Sequence, residues 1–149
     1  MAEVRVVRLH PDARIPERAR DGDAGVDLCA VDDVVLAAGG GRALVPTGLA
    51  IELPPTMVAY VMPRSGLALR HGVTCLNAPG VIDSGYRGEI GVVLVNTDPD
   101  EAFSVRAGDR VAQLVVADLA PFLFVEVDDL GGSERGAGGF GHTGVSEPT

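Results

Sequence analysis

Apolar residues in this chain come in short runs bounded by Gly, Pro, Asn and Asp, and they do not recur at the three- and four-residue spacing of an amphipathic helix. The pattern predicts strands at Val4–Leu9, Gly25–Ala30, Val34–Ala37, Arg42–Leu53, Met57–Met62, Gly72–Leu76, Glu89–Asn96, Val111–Ala117 and Phe122–Val127, spaced as a sandwich or barrel requires. The 22 valines point the same way, because a branched Cβ packs well on a pleated surface. One segment differs. Ser65–Arg70, SGLALR, opens on a residue suited to an N-cap, continues in helix formers and meets Gly72, so one short helix is expected there. No strand–helix–strand alternation appears, which excludes a parallel doubly wound sheet and leaves an all-β class.

A length of 149 residues fits one domain with a single core. Gly and Pro together make up about a fifth of the chain, so turns are frequent. All 12 basic residues are arginines, which excludes chemistry that needs a lysine, such as a P-loop or a Schiff base. The net charge of −9 opposes binding to polyphosphate backbones and to anionic lipid. A small anionic ligand remains compatible, since arginines, backbone N–H groups or a divalent cation can reverse the potential inside one cleft. Cys29 and Cys75 are too few for a four-thiolate zinc site or a disulfide framework, and a reducing compartment is expected. With neither a secretory leader pattern nor a long apolar span, the chain reads as soluble and cytoplasmic.

From Asp128 the composition changes to DDLGGSERGAGGFGHTGVSEPT, a tail expected to be mobile. Gly136, Gly138 and Gly141 satisfy the spacing of a dinucleotide fingerprint, but that motif needs a following helix and too few residues remain. Two readings of the tail stand: a frayed terminus, or a flap closing over ligand with Arg135 supplying charge and Phe140 an aromatic face.

Five segments concentrate Asp, Arg, Gly and single aromatics. In the first, Asp23-Ala-Gly-Val-Asp27-Leu, the Asp and Gly residues suit a turn entering a strand. The second, Pro63-Arg64-Ser65-Gly66-Leu67-Ala68, sets an arginine before a helix start, where free N–H groups, a hydroxyl and a guanidinium fork suit phosphate; simple capping beside a solvated arginine accounts for it equally. The third, running from Asn77 to Glu89 as NAPGVIDSGYRGE, has the look of a hairpin whose Gly80, Gly85 and Gly88 permit close backbone approach. Unpaired amides and carbonyls near its bend can read the edge of a planar base. Beyond the bend, Asp83 can take a proton from water and Tyr86 can lie flat on a sugar. The fourth, Gly108-Asp109-Arg110-Val-Ala-Gln113, sends Arg110 and Gln113 off one side of a strand only if a bulge intervenes; Asp109 with Arg110 also reads as a surface ion pair. The fifth is the tail.

Taken together and in this order, the five segments resemble the five motifs of the trimeric dUTPase family, the deoxyuridine triphosphate nucleotidohydrolases, from about Val4 to His142. The resemblance implies a distorted jelly-roll protomer with a body over 1–127 and a flexible C-terminal arm over 128–149. It implies a homotrimer with shared active sites that hydrolyses dUTP to dUMP and pyrophosphate with Mg²⁺, keeping uracil out of DNA and supplying dUMP for thymidylate synthesis. On the matching positions, Asp83 activates the attacking water and Tyr86 packs on deoxyribose, leaving no room for a 2′-hydroxyl. Asn77 with the backbone of Gly80, Val81 and Ile82 reads uracil. Arg64, Ser65 and Gly66 form the phosphate-binding turn, Gln113 lies near the polyphosphate, Arg135 meets the γ-phosphate and Phe140 stacks over uracil. Asp27 supports the site, with a metal role through bound water.

Two rivals remain in view. A dCTP deaminase shares the fold and much of the third segment but carries a catalytic glutamate in the following strand, and here the interior of Glu89–Asn96 is wholly apolar. A catalytically silent nucleotide-binding regulator would have no need of Asp83, Tyr86, Arg64, Gln113, Arg135 and Phe140 together. His10 and His71 read as surface or packing residues; for His142 the choice is between a phosphate contact and a disordered side chain.

Overall fold

The computed structural model describes residues 2–140. Its strands are β1 (Arg5–Arg8), β2 (Gly25–Cys29), β3 (Val34–Leu36), β4 (Arg42–Pro46), β5 (Leu49–Glu52), β6 (Met57–Met62), β7 (Val73–Cys75), β8 (Gly80–Ile82), β9 (Gly91–Asn96), β10 (Phe103–Val105) and β11 (Arg110–Asp118), with one helix, α1 (Ser65–His71), between β6 and β7. A four-stranded sheet has the order β2-β11-β6-β8, a three-stranded sheet the order β4-β9-β7, and β1-β5 and β3-β10 form two further pairs. All pairings are antiparallel. The larger sheets share one core: Leu28, Ala112 and Leu114 from the first and Val45, Val92 and Leu94 from the second belong to a single buried cluster. This open, mainly β architecture with one short helix agrees with the expected jelly roll.

The expected strand Arg42–Leu53 is two strands. Gly48 sits between them with φ of +66°, a left-handed conformation that turns the chain, and a Cβ there would meet Cβ of His10 and of Ala13. Beside it, buried Thr47 donates its hydroxyl to the Ile90 carbonyl at 2.6 Å, so the corner is pinned across the core. Phe103–Val105 is a strand that the hydrophobic pattern did not mark, being three residues long. Phe122–Val127, expected as a strand, forms none: it pairs with no strand among the described residues, and Phe122, Leu123, Phe124 and Val125 are exposed.

Helix α1 ends as expected at Gly72, in the left-handed region. Its start differs: Arg64, not Ser65, occupies the N-cap, and no side chain caps it. Leu67 and Ala68 N–H groups both go to the Arg64 carbonyl. The third segment is no hairpin either. β7 pairs with β9 while β8 pairs with β6, so the chain changes sheet between Cys75 and Gly80, through a cis Ala78–Pro79 bond.

Candidate active site

Sheet order explains why segments far apart in sequence meet. In β11, Gln113 lies opposite both Asp27 of β2 and Met62 of β6, and Pro63 and Arg64 follow Met62 directly. The first, second and fourth segments therefore converge at one end of the four-stranded sheet. Register shifts between Arg110 and Ala112, and this bulge puts Val111 into the core while Arg110 and Gln113 leave the strand on one side. That settles the question the sequence left open.

Asp27 organises this end. Its carboxylate stands 3.1 Å from Arg64 Nε and 3.3 Å from Arg110 Nη1, and Arg64 Nη1 donates to the Arg110 carbonyl at 3.1 Å. One exposed ion pair is worth little; a carboxylate shared by two guanidinium groups, one tied again to backbone, holds its members in fixed relation. Arg110 thus pairs with Asp27, while the Asp109 carboxylate turns back to accept from Arg106 N–H at 2.9 Å. Gln113 Nε2 donates to the Pro63 carbonyl at 3.0 Å, and its amide lies where a Cβ on Gly25 would be, so a side chain there would displace it. Ser65 is exposed and Gly66 half-buried in the first turn, where backbone N–H groups lack helical acceptors.

The third segment builds a separate pocket of about 180 Å³, lined among others by Asn77, Gly80, Val81, Ile82, Asp83 and Tyr86. Gly80 is buried, and a Cβ on it would press on Val61 and the Asn77 amide, so the backbone itself forms the wall. Among the described residues the Asp83 side chain makes no hydrogen bond or ion pair. It is exposed at the mouth, a carboxylate with all its acceptor capacity open. Tyr86 donates its hydroxyl to the Glu89 carbonyl at 3.0 Å, and its ring lies so close over Gly88 that any side chain there would strike it.

Within one chain these two groups do not meet. The pocket lining includes neither Arg64, Ser65, Gly66, Gln113 nor Asp27. Strand pairing gives the reason for Asp83: Ile82, next to it, lies opposite Ala59 of β6, whereas Gln113 of β11 lies opposite Met62 at the other end of β6 and Arg64 follows that end. Arg135 and Phe140 join neither group. Arg135 Nε donates to the Gly138 carbonyl at 2.9 Å, and among the described residues the hydrogen bonds of residues 120–140 run only between near neighbours. Gly141 and His142 lie outside the described residues. Sequence reasoning missed two participants, Arg110 as partner of Asp27 and Glu89 in the pocket wall; the position of Glu89 three residues after Tyr86 was the available signal.

The dUTPase family model matches residues 11–144, and the chain belongs to the dUTPase family. It is 56% identical over 141 residues to the deoxyuridine 5′-triphosphate nucleotidohydrolase of Thermobifida fusca, covering 95% of this chain and 78% of the relative. To the enzyme of the same name from Cutibacterium acnes it is 53% identical over 146 residues, covering 98% and 95%. Among solved structures it is similar to the dUTPase of Staphylococcus bacteriophage 80alpha with dUPNHPP bound, with a TM-score of 0.85 and 28% identity over 96% of this chain and 99% of that one. The deaminase reading falls with this match, and β9 carries no carboxylate between Gly91 and Asn96.

Proposed function

We propose that the chain hydrolyses dUTP to dUMP and pyrophosphate by in-line attack of water at the α-phosphorus, with Asp83 as general base. The observation that carries the role of Asp83 is its placement: an unengaged carboxylate at the mouth of a pocket whose wall is the Gly80–Ile82 backbone, with Tyr86 beside it. Backbone groups of β8 and the Asn77 amide suit the hydrogen-bonding edge of uracil, and the Tyr86 ring suits the face of a deoxyribose. A base whose carbonyl and N3–H pattern differs leaves polar groups unpaired in the pocket, which is the basis for rejecting cytosine.

Attack at phosphorus asks little covalent help of the protein, so position and charge dominate. Arg64 binds phosphate oxygens as a fork, Ser65 and the Gly66 N–H add donors, and Gln113 lies alongside. Mg²⁺ fits this donor set. Among the described residues no three His, Cys, Asp or Glu side chains form a metal cage, and Asp27, though paired twice, is partly open and has lone pairs left for a metal-bound water. When bound, the ion would neutralise phosphate charge, held mainly by the triphosphate itself.

The separation of the two residue groups within one chain supports a shared site in which one subunit supplies the Asp83 pocket and another the Arg64–Gln113 end, and we assign the chain to a homotrimer. The exposed run from Phe122 to Leu130 supports the same assignment, since an apolar segment of this size is covered in a stable soluble assembly. Arg135 and Phe140 then close on the γ-phosphate and the uracil from a neighbouring arm. Two buried free cysteines fit a reducing cytoplasm.

Asp83→Asn tests the reading. The variant keeps its assembly and its affinity for a non-hydrolysable dUTP analogue while pyrophosphate release falls about 10²- to 10⁴-fold. Undiminished release removes Asp83 from the role.

A further inference from the structure

We infer that Glu89 is a positioning residue for sugar recognition, acting through Tyr86; the inference rests on the reading of Tyr86 as the ring that faces deoxyribose. The hydroxyl of Tyr86 is used inside the chain, on the carbonyl of Glu89, so the ring goes where that carbonyl is held. Three contacts hold it. Glu89 Oε1 accepts from the Gly48 N–H at 2.7 Å, Ile90 N–H donates to the Leu49 carbonyl at 2.7 Å, and the Ile90 carbonyl accepts from the Thr47 hydroxyl at 2.6 Å. Only the Ile90–Leu49 contact is made wholly by backbone and resists substitution. Of the two made by side chains, the Thr47 hydroxyl acts on the neighbouring Ile90, whereas the Glu89 carboxylate belongs to the residue whose carbonyl Tyr86 grips.

Gly48 is a firm anchor for this contact. It is held at positive φ with His10, Ala13 and Val31 packed where its side chain would be, so its N–H has one direction to point. The ring also lies over Gly88, where an added Cβ would strike it. A chain of contacts thus runs from the β4–β5 corner through the Glu89 carboxylate and its own carbonyl to the tyrosine hydroxyl. Glu89 also lines the same pocket as Asp83 and Tyr86. An aromatic ring excludes a ribose 2′-hydroxyl only if it does not swing, because displacement of a wall by an ångström is enough to admit one oxygen atom.

The test compares kcat/KM for dUTP and UTP in the full-length enzyme. Glu89→Ala lowers the dUTP-to-UTP ratio about tenfold, mainly through a gain on UTP and a rise in KM for dUTP with kcat less affected. Glu89→Gln, which keeps an acceptor oxygen at the same reach, restores the ratio to within about twofold, since the contact needs an acceptor and not a charge. In a Tyr86→Phe background, Glu89→Ala adds little, because the hydroxyl through which it acts is gone. If Glu89→Ala fails to fold, Glu89→Asp withdraws the carboxylate by one methylene and is read in its place. An unchanged ratio in a folded Ala or Asp variant overturns the inference, as does a Gln variant as poor as Ala, or full additivity with Tyr86→Phe. Tyr86→Ala separates the two levels: if it leaves the dUTP-to-UTP ratio intact, the assignment of Tyr86 to the sugar fails; if it collapses the ratio while Glu89→Ala does not, only the role of Glu89 fails.

Discussion

Arg64 and Asp27 are joined 3.1 Å apart, Nε to Oδ1, and the arginine proposed for phosphate is therefore already aimed in the free chain. A guanidinium has five donors, so the pair leaves donors over for an anion. Asp27→Ala frees both Arg64 and Arg110. Steady-state kinetics on dUTP are expected to show kcat/KM down about 10- to 100-fold with the thermal midpoint nearly unchanged, because the three side chains are partly exposed. Wild-type kinetics in this variant would remove Asp27 from the site.

Gly48→Ala tests the corner that anchors Glu89. The substituent must adopt φ near +66° and fit within 2.6 Å of the His10 Cβ, so strain and overpacking add. A loss of about 2–4 kcal/mol is expected, read as a lower denaturant midpoint at fixed protein concentration. A variant as stable as the parent would mean that the corner relaxes freely.

Two truncations separate the roles proposed for the C-terminal segment. Ending the chain after Asp128 removes Arg135 and Phe140 and is expected to lower kcat/KM by at least about 10²-fold with the assembly intact in analytical ultracentrifugation. Ending it after Asp118 also removes Phe122–Val127 and is expected to lower the oligomeric state. Equal activity in the first, or an unchanged sedimentation coefficient per subunit mass in the second, would contradict the assignment concerned.

Burial pushes the Cys75 thiol up to about 11 from 9.0, because the thiolate is poorly solvated in the core. Between those values the unfolded chain has released this proton and the folded chain retains it. Stability therefore declines with rising pH across that window, and its full value is present below pH 9.0. Cys75→Ala should flatten the decline, and in the parent protein the thiol should react slowly with a disulfide reagent at pH 8. Rapid labelling of folded protein would show that the site opens.

Much of the fold was legible because burial on one or both faces leaves a period in the sequence. Met57–Met62 was placed to the residue, and Gly72 was read as the helix stop. The failures share a cause: long-range pairing. Phe122–Val127 has the composition of a strand but lacks a neighbour in its own chain, and composition does not supply one. Asn77–Glu89 looks like a hairpin because its glycines permit a turn, yet Gly80–Ile82 pairs with β6, residues 57–62, and nothing local announces that. In the site, the clustering of Asp, Arg and Gly marked the segments. The pairing of Arg110 with Asp27, 83 positions away, and the grip of Glu89 on Gly48 depend on sheet order and were invisible to spacing.

The bulge at Val111 has a mechanical corollary. By absorbing one residue it shortens the step between Arg110 and Gln113 to about two strand residues, roughly 6.6 Å, and drives two consecutive aliphatic side chains, Val111 and Ala112, into the interior. The polar pair and the hydrophobic pair thus belong to one stiff splint. Trimming or enlarging a neighbour of Val111 would tilt that splint, so nucleotide affinity can be retuned from beneath, by an oily substitution that never touches the ligand.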